Sequence, residues 1–279
     1  MEIRDLVLFL EAGTPCDARL ALALGLAEQF GASLSTLCAP LEPPVDIADG
    51  FVIGPAAISD ALERHEAEIA RLMTATRTAL AAALVDRKID HAEFETPLGE
   101  TPQDLAVRAR FHDLAIVRRP ISHDGAGHAL AERIALASGT PCLIVPDKPP
   151  RTPNFARIVV GWNGSREAKR AMQDAMPLLQ RAANVELLEV DGASGETPAF
   201  LAREGALRFL AHHGVTARLH RVNPQGEDAG AVLLHKCAAL EADLLVMGAY
   251  GHSRTKEMVL GGATRTVLAR AGLPVLLSH

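Results

Sequence analysis

Short apolar runs alternate along the chain with longer segments whose apolar residues recur at helical spacing. Leu6 to Leu10 is the first such run, and a segment of 3.6-residue periodicity follows a polar turn after it. Near the middle of the chain the same order returns. "RDLVLFLEAGTPCDARLALALGLAEQFGASLSTLC", from Arg4, and "ARIVVGWNGSREAKRAMQDAMPLLQRAANVELLEV", from Ala156, align without a gap when Leu6 is set opposite Ile158 and Cys38 opposite Val190. Three further blocks match in the same order: "TPLGE" with "NPQGE", "DLAIV" with "DLLVM", and "GTPCLIV" with "GLPVLLS". The pattern predicts two copies of one β-α-β-α-β-α-β-α-β unit. In the second copy the strands are expected near Arg157–Trp162, Val185–Val190, Thr216–Val222, Asp243–Gly248 and Pro274–Ser278.

Strands that read as continuous apolar runs and are separated by helices imply a parallel sheet buried on both faces. The predicted fold class is therefore α/β, with two tandem doubly wound parallel-sheet domains over residues 1–150 and 151–279. They join in "PDKPPRTPN", whose four prolines interrupt any regular element. The first copy carries its extra length between Cys38 and His91, read as a loop and then a long helix from about Ala56 to Asp86. The last strand of each copy is opened by a proline (Pro141, Pro274), which suits an edge because proline gives no ladder bond. The two are expected to meet edge to edge as an internal pseudo-dimer, with a homodimer through another surface left open.

Composition narrows the picture. Of the 279 residues 48% are hydrophobic but only 4% aromatic, which favours helices on an aliphatic sheet over a sandwich. The net charge of −6 argues against a nucleic-acid partner, and the sequence shows neither a membrane-spanning run nor a leader pattern. The four cysteines lie far apart, as free thiols of a reducing cytoplasm would.

Candidate chemistry gathers at the end of the chain. In "VMGAYGHSRTKEMVLGGATRT" a strand ends at Met247-Gly248, and a loop with Gly251, His252, Ser253, Arg254 and Lys256 leads to Gly261, where the last helix is expected to begin. Glycines let a backbone approach a ligand closely, and the N–H groups at a helix start attract anions. The spacing suits a phosphate cradle, although turns and helix packing would also explain the glycines. Other signals fail. "RHEAEIARL" has Ile69 where a zinc-protease helix needs its second histidine, and neither G-x-x-x-x-G-K-[ST] nor G-x-S-x-G occurs. The S-G-G-x-D-S loop of ATP-pyrophosphatases is also missing.

Gly248-x-x-Gly251, nine residues, then Gly261 resembles the G-x2-G-x9-G-[S/T] signature of the universal stress proteins. With "VVGWNGS" and "GLPVLLS" the resemblance extends over essentially the whole chain as two tandem domains of a Rossmann-like, adenine nucleotide alpha hydrolase-like fold. It implies a cytoplasmic stress-response protein that binds ATP or AMP, with or without magnesium, in its second domain. Gly161 and Asn163 would lie at the ribose. Val190 and Met247 would line the adenine, and the backbone of Gly248, Gly251, Gly261, Gly262 and Ala263 would hold the phosphates, with His252, Ser253 and Arg254 beside them. Two positions depart from the pattern: Asn163 stands where the family has an acid, and Gly262 where it has a Ser or Thr. Thr264 is the nearby hydroxyl that could substitute.

In the first copy Arg118, Arg119 and Pro120 replace the first glycine region, so no nucleotide is expected there. Glu11, opposite Asn163, reads as an ordinary turn residue. Two other readings remain, a slow ATP hydrolase or self-phosphorylating enzyme using the same pocket, and a protein-interaction scaffold. Trp162 reads either as a lid over the ligand or as core packing.

Overall fold

The computed structural model describes residues 2–39, 55–95, 101–119, 126–149, 155–191, 199–249 and 262–279. The first half runs β1 (Asp5–Glu11), α1 (Asp17–Phe30), β2 (Ser33–Ala39), α2 (Pro55–Leu84), β3 (His91–Glu95), α3 (Pro102–Ala109), β4 (Leu114–Arg118), α4 (Ala126–Ala137) and β5 (Cys142–Val145). The second half runs β6 (Arg157–Trp162), α5 (Arg166–Asp174), α6 (Met176–Leu179), β7 (Asn184–Val190), α7 (Ala199–His212), β8 (Ala217–Val222), α8 (Ala229–Ala239), β9 (Leu244–Gly248), α9 (Gly262–Arg270) and β10 (Val275–Ser278). The predicted strands hold to within a residue at each end. The helix predicted after β6 is divided, because Pro177 has no N–H to continue α5 and instead opens α6 in its first turn.

All ten described strands form one sheet in the order β3-β2-β1-β4-β5-β10-β9-β6-β7-β8. Each half contributes the same arrangement, 3-2-1-4-5 and its counterpart 8-7-6-9-10. Pairing is parallel within each half. Only β5 and β10 run antiparallel, with Val275 opposite Ile144 and Leu277 opposite Cys142. Each is an edge of its own half yet interior to the whole sheet, and every residue of both is buried. Pro141 and Pro274 stand just outside the two strands, where a missing N–H costs no ladder bond. Arg119 adds a second tie between the halves, donating from Nη1 to Ala269 O at 2.9 Å near the carboxyl end of α9.

Two apolar layers cover the sheet. One contains Leu6, Leu8, Leu10, Ile158, Val160 and Trp162 under α1, α5 and α6. The other contains Val7, Phe9, Val159, Leu188 and Val190 under α4, α8 and α9. Alternate residues of β6 thus enter opposite layers, as the two-residue strand period requires. Trp162, 7% exposed, packs in the first layer with Ala168 and Met172 and also lines the cleft at the end of β6.

Register also corrects the gapless alignment of the two copies. Leu6 pairs with Leu34, and Ile158 pairs with Val185, so the counterpart of Val190 is Ala39, not Cys38. A slip of one residue transfers a side chain to the other face of the sheet. Cys38 lies in the layer of Leu6, whereas Val190 lies in that of Val159.

Candidate functional site

The strand order of the second half reverses between β6 and β9, whose chain neighbours lie on opposite sides of them. At such a point the connections leave in opposite directions and open a crevice at the carboxyl ends of the strands. The sequence builds its edge residue by residue. "WNGS" ends β6 and turns the chain into α5. Asn163 Oδ1 accepts the Ser165 N–H at 3.1 Å, and Ser165 Oγ accepts the Ala168 N–H at 3.1 Å, capping α5. Gly164, at φ +75°, makes the left-handed step between them, with Ala202 Cβ 3.2 Å from where a Cβ would stand.

The crevice is a cleft of about 70 Å³ that opens to solvent. Gly161, Asn163, Val190, Met247, Gly248 and Ala263, all singled out in the sequence, line it together. Gly262 lies beside them, at the start of α9. Thr264 does not join them. It is 3% exposed, turned into the packing of α9, and does not replace the missing hydroxyl. Gly251, His252, Ser253, Arg254, Lys256 and Gly261 lie outside the described residues, as does the "TPLGE" block.

Sequence reasoning missed Leu188, Ala229 and Leu233, which also line the cleft. Leu188 could have been found two residues before Val190, on the same face of β7. Ala229 and Leu233 are four apart on one face of α8 and gave no signal until that helix was placed against the sheet. The cleft walls are therefore largely aliphatic, suited to a flat apolar ring, with the Asn163 amide as the polar group at one end.

Two glycines serve packing in ways the sequence did not announce. A Cβ on Gly248 would stand 2.4 Å from the carbonyl carbon of Glu167 and 2.5 Å from Ala168 N, both backbone atoms of α5. The close approach there is to the chain's own helix, while Gly248 also lines the cleft. A Cβ on Gly230 would stand 2.5 Å from Ala263 O, so α8 and α9 also cross in backbone contact. Gly161 differs. Its nearest neighbours would be Leu233 Cδ2 at 3.4 Å and Met247 Cβ at 3.6 Å, ordinary contacts at the cleft floor.

The corresponding place in the first half is filled by charge. Strand register makes Arg118 the counterpart of Gly248 and Glu11 that of Asn163. Arg118 makes a two-pronged ion pair with Asp147, Nε–Oδ1 2.9 Å and Nη2–Oδ2 2.6 Å, and lies 3.8 Å from Glu11. Arg19, 2% exposed, donates to Pro15 O at 3.2 Å and adds a second guanidinium to the group. Burial pushes the Glu11 carboxyl up, opposed by Arg19 and Arg118. Burial would raise Asp147 as well, but its hydrogen bonds and charge contact with Arg118 hold it below the ordinary range. Glu11 is thus a buried member of an ion network at the end of β1, not the ordinary turn residue expected.

Residues 154–279 match the universal stress protein family. That match covers the C-terminal 126 of the 279 residues. A curated relative, the universal stress protein Slr1230 of Synechocystis sp., is 29% identical over 154 residues, 54% of this chain. The chain spans about half the length of that relative, 51%. A universal stress protein from Archaeoglobus fulgidus has the same fold over 98% of this chain and 97% of its own, with a TM-score of 0.66 at 14% identity. A protein of unknown function from Pseudomonas aeruginosa, PA1789, matches 99% of this chain and 92% of its own, with a TM-score of 0.62 at 14% identity. The universal stress protein fold thus extends beyond the half that matches the family by sequence. Among the described residues no helix is long and apolar enough to cross a membrane, and no cluster of three or more His, Cys, Asp or Glu is arranged to hold a metal ion.

Proposed function

We propose that the second half, residues 151–279, binds one adenine nucleotide, ATP or AMP, and that binding is its role in a cytoplasmic stress response. One observation carries this reading. Gly161, Asn163, Val190, Met247 and Ala263 are scattered over roughly a hundred residues of sequence, yet they converge on one aliphatic cleft at the strand-order reversal. The base would lie between Val190, Leu188 and Leu233, with the ribose toward Asn163. The glycine-spaced segment from Gly248 to Gly261 would bring its backbone N–H groups and the start of α9 to the phosphates.

Residues 1–150 are read as a second domain of the same type whose own crevice has been given over to the Arg118–Asp147 pair. Through β5 and β10 the two domains form an internal pseudo-dimer. Turnover should be slow, because Asn163 cannot act as a base and Gly262 offers no hydroxyl to a metal-bound phosphate. The test is mass spectrometry of small molecules released from the purified protein, followed by calorimetry with ATP and AMP. The reading requires one site per chain. Two equivalent sites, or no binding at millimolar nucleotide, would reject it.

A further inference from the structure

A larger cavity lies at the opposite end of the same strands. The stretches "KCAALEADLL" and "ARAGLPVLLS" finish α8 and α9 and lead into β9 and β10. The two helices meet in backbone contact at Gly230, near their amino ends. At their carboxyl ends a space of about 450 Å³ opens to solvent, within the size range of small-molecule sites. Leu234, Cys237, Ala238, Ala242, Leu273 and Pro274 give it apolar walls, joined by Pro149. The first half treats the same ends differently. Arg110 Nη2 donates to Ala137 O at 3.0 Å and Thr140 Oγ1 donates to Ala109 O at 3.0 Å, tying the end of α3 to that of α4. Strand register makes Leu240 the counterpart of Arg110 and Leu273 that of Thr140. Neither leucine has a side-chain donor, so the second half lacks both ties and holds an apolar space there.

The charged groups around this cavity are already matched. Glu241 pairs with Arg157, and Asp243 Oδ2 accepts the Arg157 N–H at 3.0 Å. His235 lies 3.2 Å from Glu227. Arg270, the last residue of α9, offsets the negative carboxyl end of that helix. An anionic ligand would gain Arg270 but face Glu241 and Asp243, and a cationic one would face Arg270 in turn. Either would also give up hydration against apolar walls. We propose that this cavity binds a small, uncharged, largely apolar molecule, at a site separate from the cleft at the carboxyl ends of the strands. Release of water from the aliphatic walls drives the binding. The inference does not depend on reading the cleft as a nucleotide site.

Three probes of equal chain length test the charge argument: 1-octanol, octanoate and octylamine, titrated into the isotopically labelled full chain at pH 7 and followed by NMR. Octanol should bind saturably, with the largest shifts at the N–H groups of Cys237, Ala242 and Gly272. The two charged probes should bind at least about tenfold more weakly. Ala238→Trp then tests the place. Ala238 is exposed on α8 at the cavity wall, so the indole fills the space without displacing core residues. The variant should melt as the parent does and bind octanol at least about tenfold more weakly. Should it fail to fold, the parent's shift map still decides. Octanol shifts centred on Gly161 and Val190 instead, or no saturable shift up to the solubility of octanol, would overturn the proposal. So would a charged probe binding as tightly as octanol, or a folded Ala238→Trp protein binding octanol as the parent does.

Discussion

Gly248→Ala and Gly161→Ala add the same methyl group to neighbouring strands of one cleft, and the structure separates their consequences. At Gly248 the new carbon would meet the backbone of α5 at 2.4 and 2.5 Å, well inside any contact a real Cβ makes. Backbone atoms cannot rotate away, so β9 or the whole first turn of α5 must shift, carrying the Ser165 cap with it. Overpacking of this kind costs about 1–3 kcal/mol. For a chain of this size that lowers the melting temperature by roughly 3–10 °C. At Gly161 the nearest atom is the far end of the Leu233 side chain at 3.4 Å, which can yield. Alanine also loses less backbone entropy than glycine in a strand, by about 0.5–1 kcal/mol, so stability should hold or rise. The methyl group nevertheless projects into the cleft floor. The two variants should therefore divide, Gly248→Ala being less stable and Gly161→Ala being as stable but weaker toward nucleotide. Trp162 is the sole tryptophan and is buried beside α5, so its emission during urea unfolding reports the second half directly. Calorimetry supplies the binding side. A Gly248→Ala protein as stable as the parent, or a Gly161→Ala protein destabilised more than it, would refute the packing argument.

Asp147→Asn should destabilise the protein at neutral pH by about 1–3 kcal/mol, the worth of hydrogen bonds between charged groups. Because Arg118 depresses the Asp147 carboxyl, that stabilisation is complete above the unfolded value of about 3.9 and is lost as pH falls through the lower folded value. The gap between parent and variant in thermal melts should therefore close only below about pH 4, and a gap that closes near neutrality contradicts the assignment. Burial raises the Cys142 thiol far out of its ordinary range and pushes Cys237 up to about 12. All four cysteines are buried, so a thiol reagent should label none of them in native protein at pH 8 and all four in urea. Phosphate release from ATP should stay well below the roughly 1–10³ s⁻¹ of ordinary enzymes, and turnover at that rate abolished by Arg254→Ala would establish the hydrolase alternative.

Local order was legible because it rests on periodicity. Apolar runs such as Ile158–Val160 and Leu244–Met247 bury both faces of a strand wherever the strand is placed, and the duplicated pattern predicted two halves with corresponding strand order. The turn "WNGS" was equally local, since an Asx turn, a left-handed glycine and a serine cap need only their own neighbours.

What tertiary structure decided was which atoms meet across long separations. Strand register placed Val190 in the cleft and removed Cys38 as its counterpart, through a one-residue difference that no apolar pattern records. Packing gave Gly248 and Gly230 their purpose, because only the crossing of α5 on β9 and of α8 on α9 shows where a Cβ would have no room. Arg118 and Asp147 are separated by 29 residues, and their signs alone could not say that they pair at the end of β4. A sequence specifies the short-range preferences of each segment. Contacts between segments follow only when the sheet order fixes which ends lie together, and in this chain the continuous pairing through β5 and β10 completes that order.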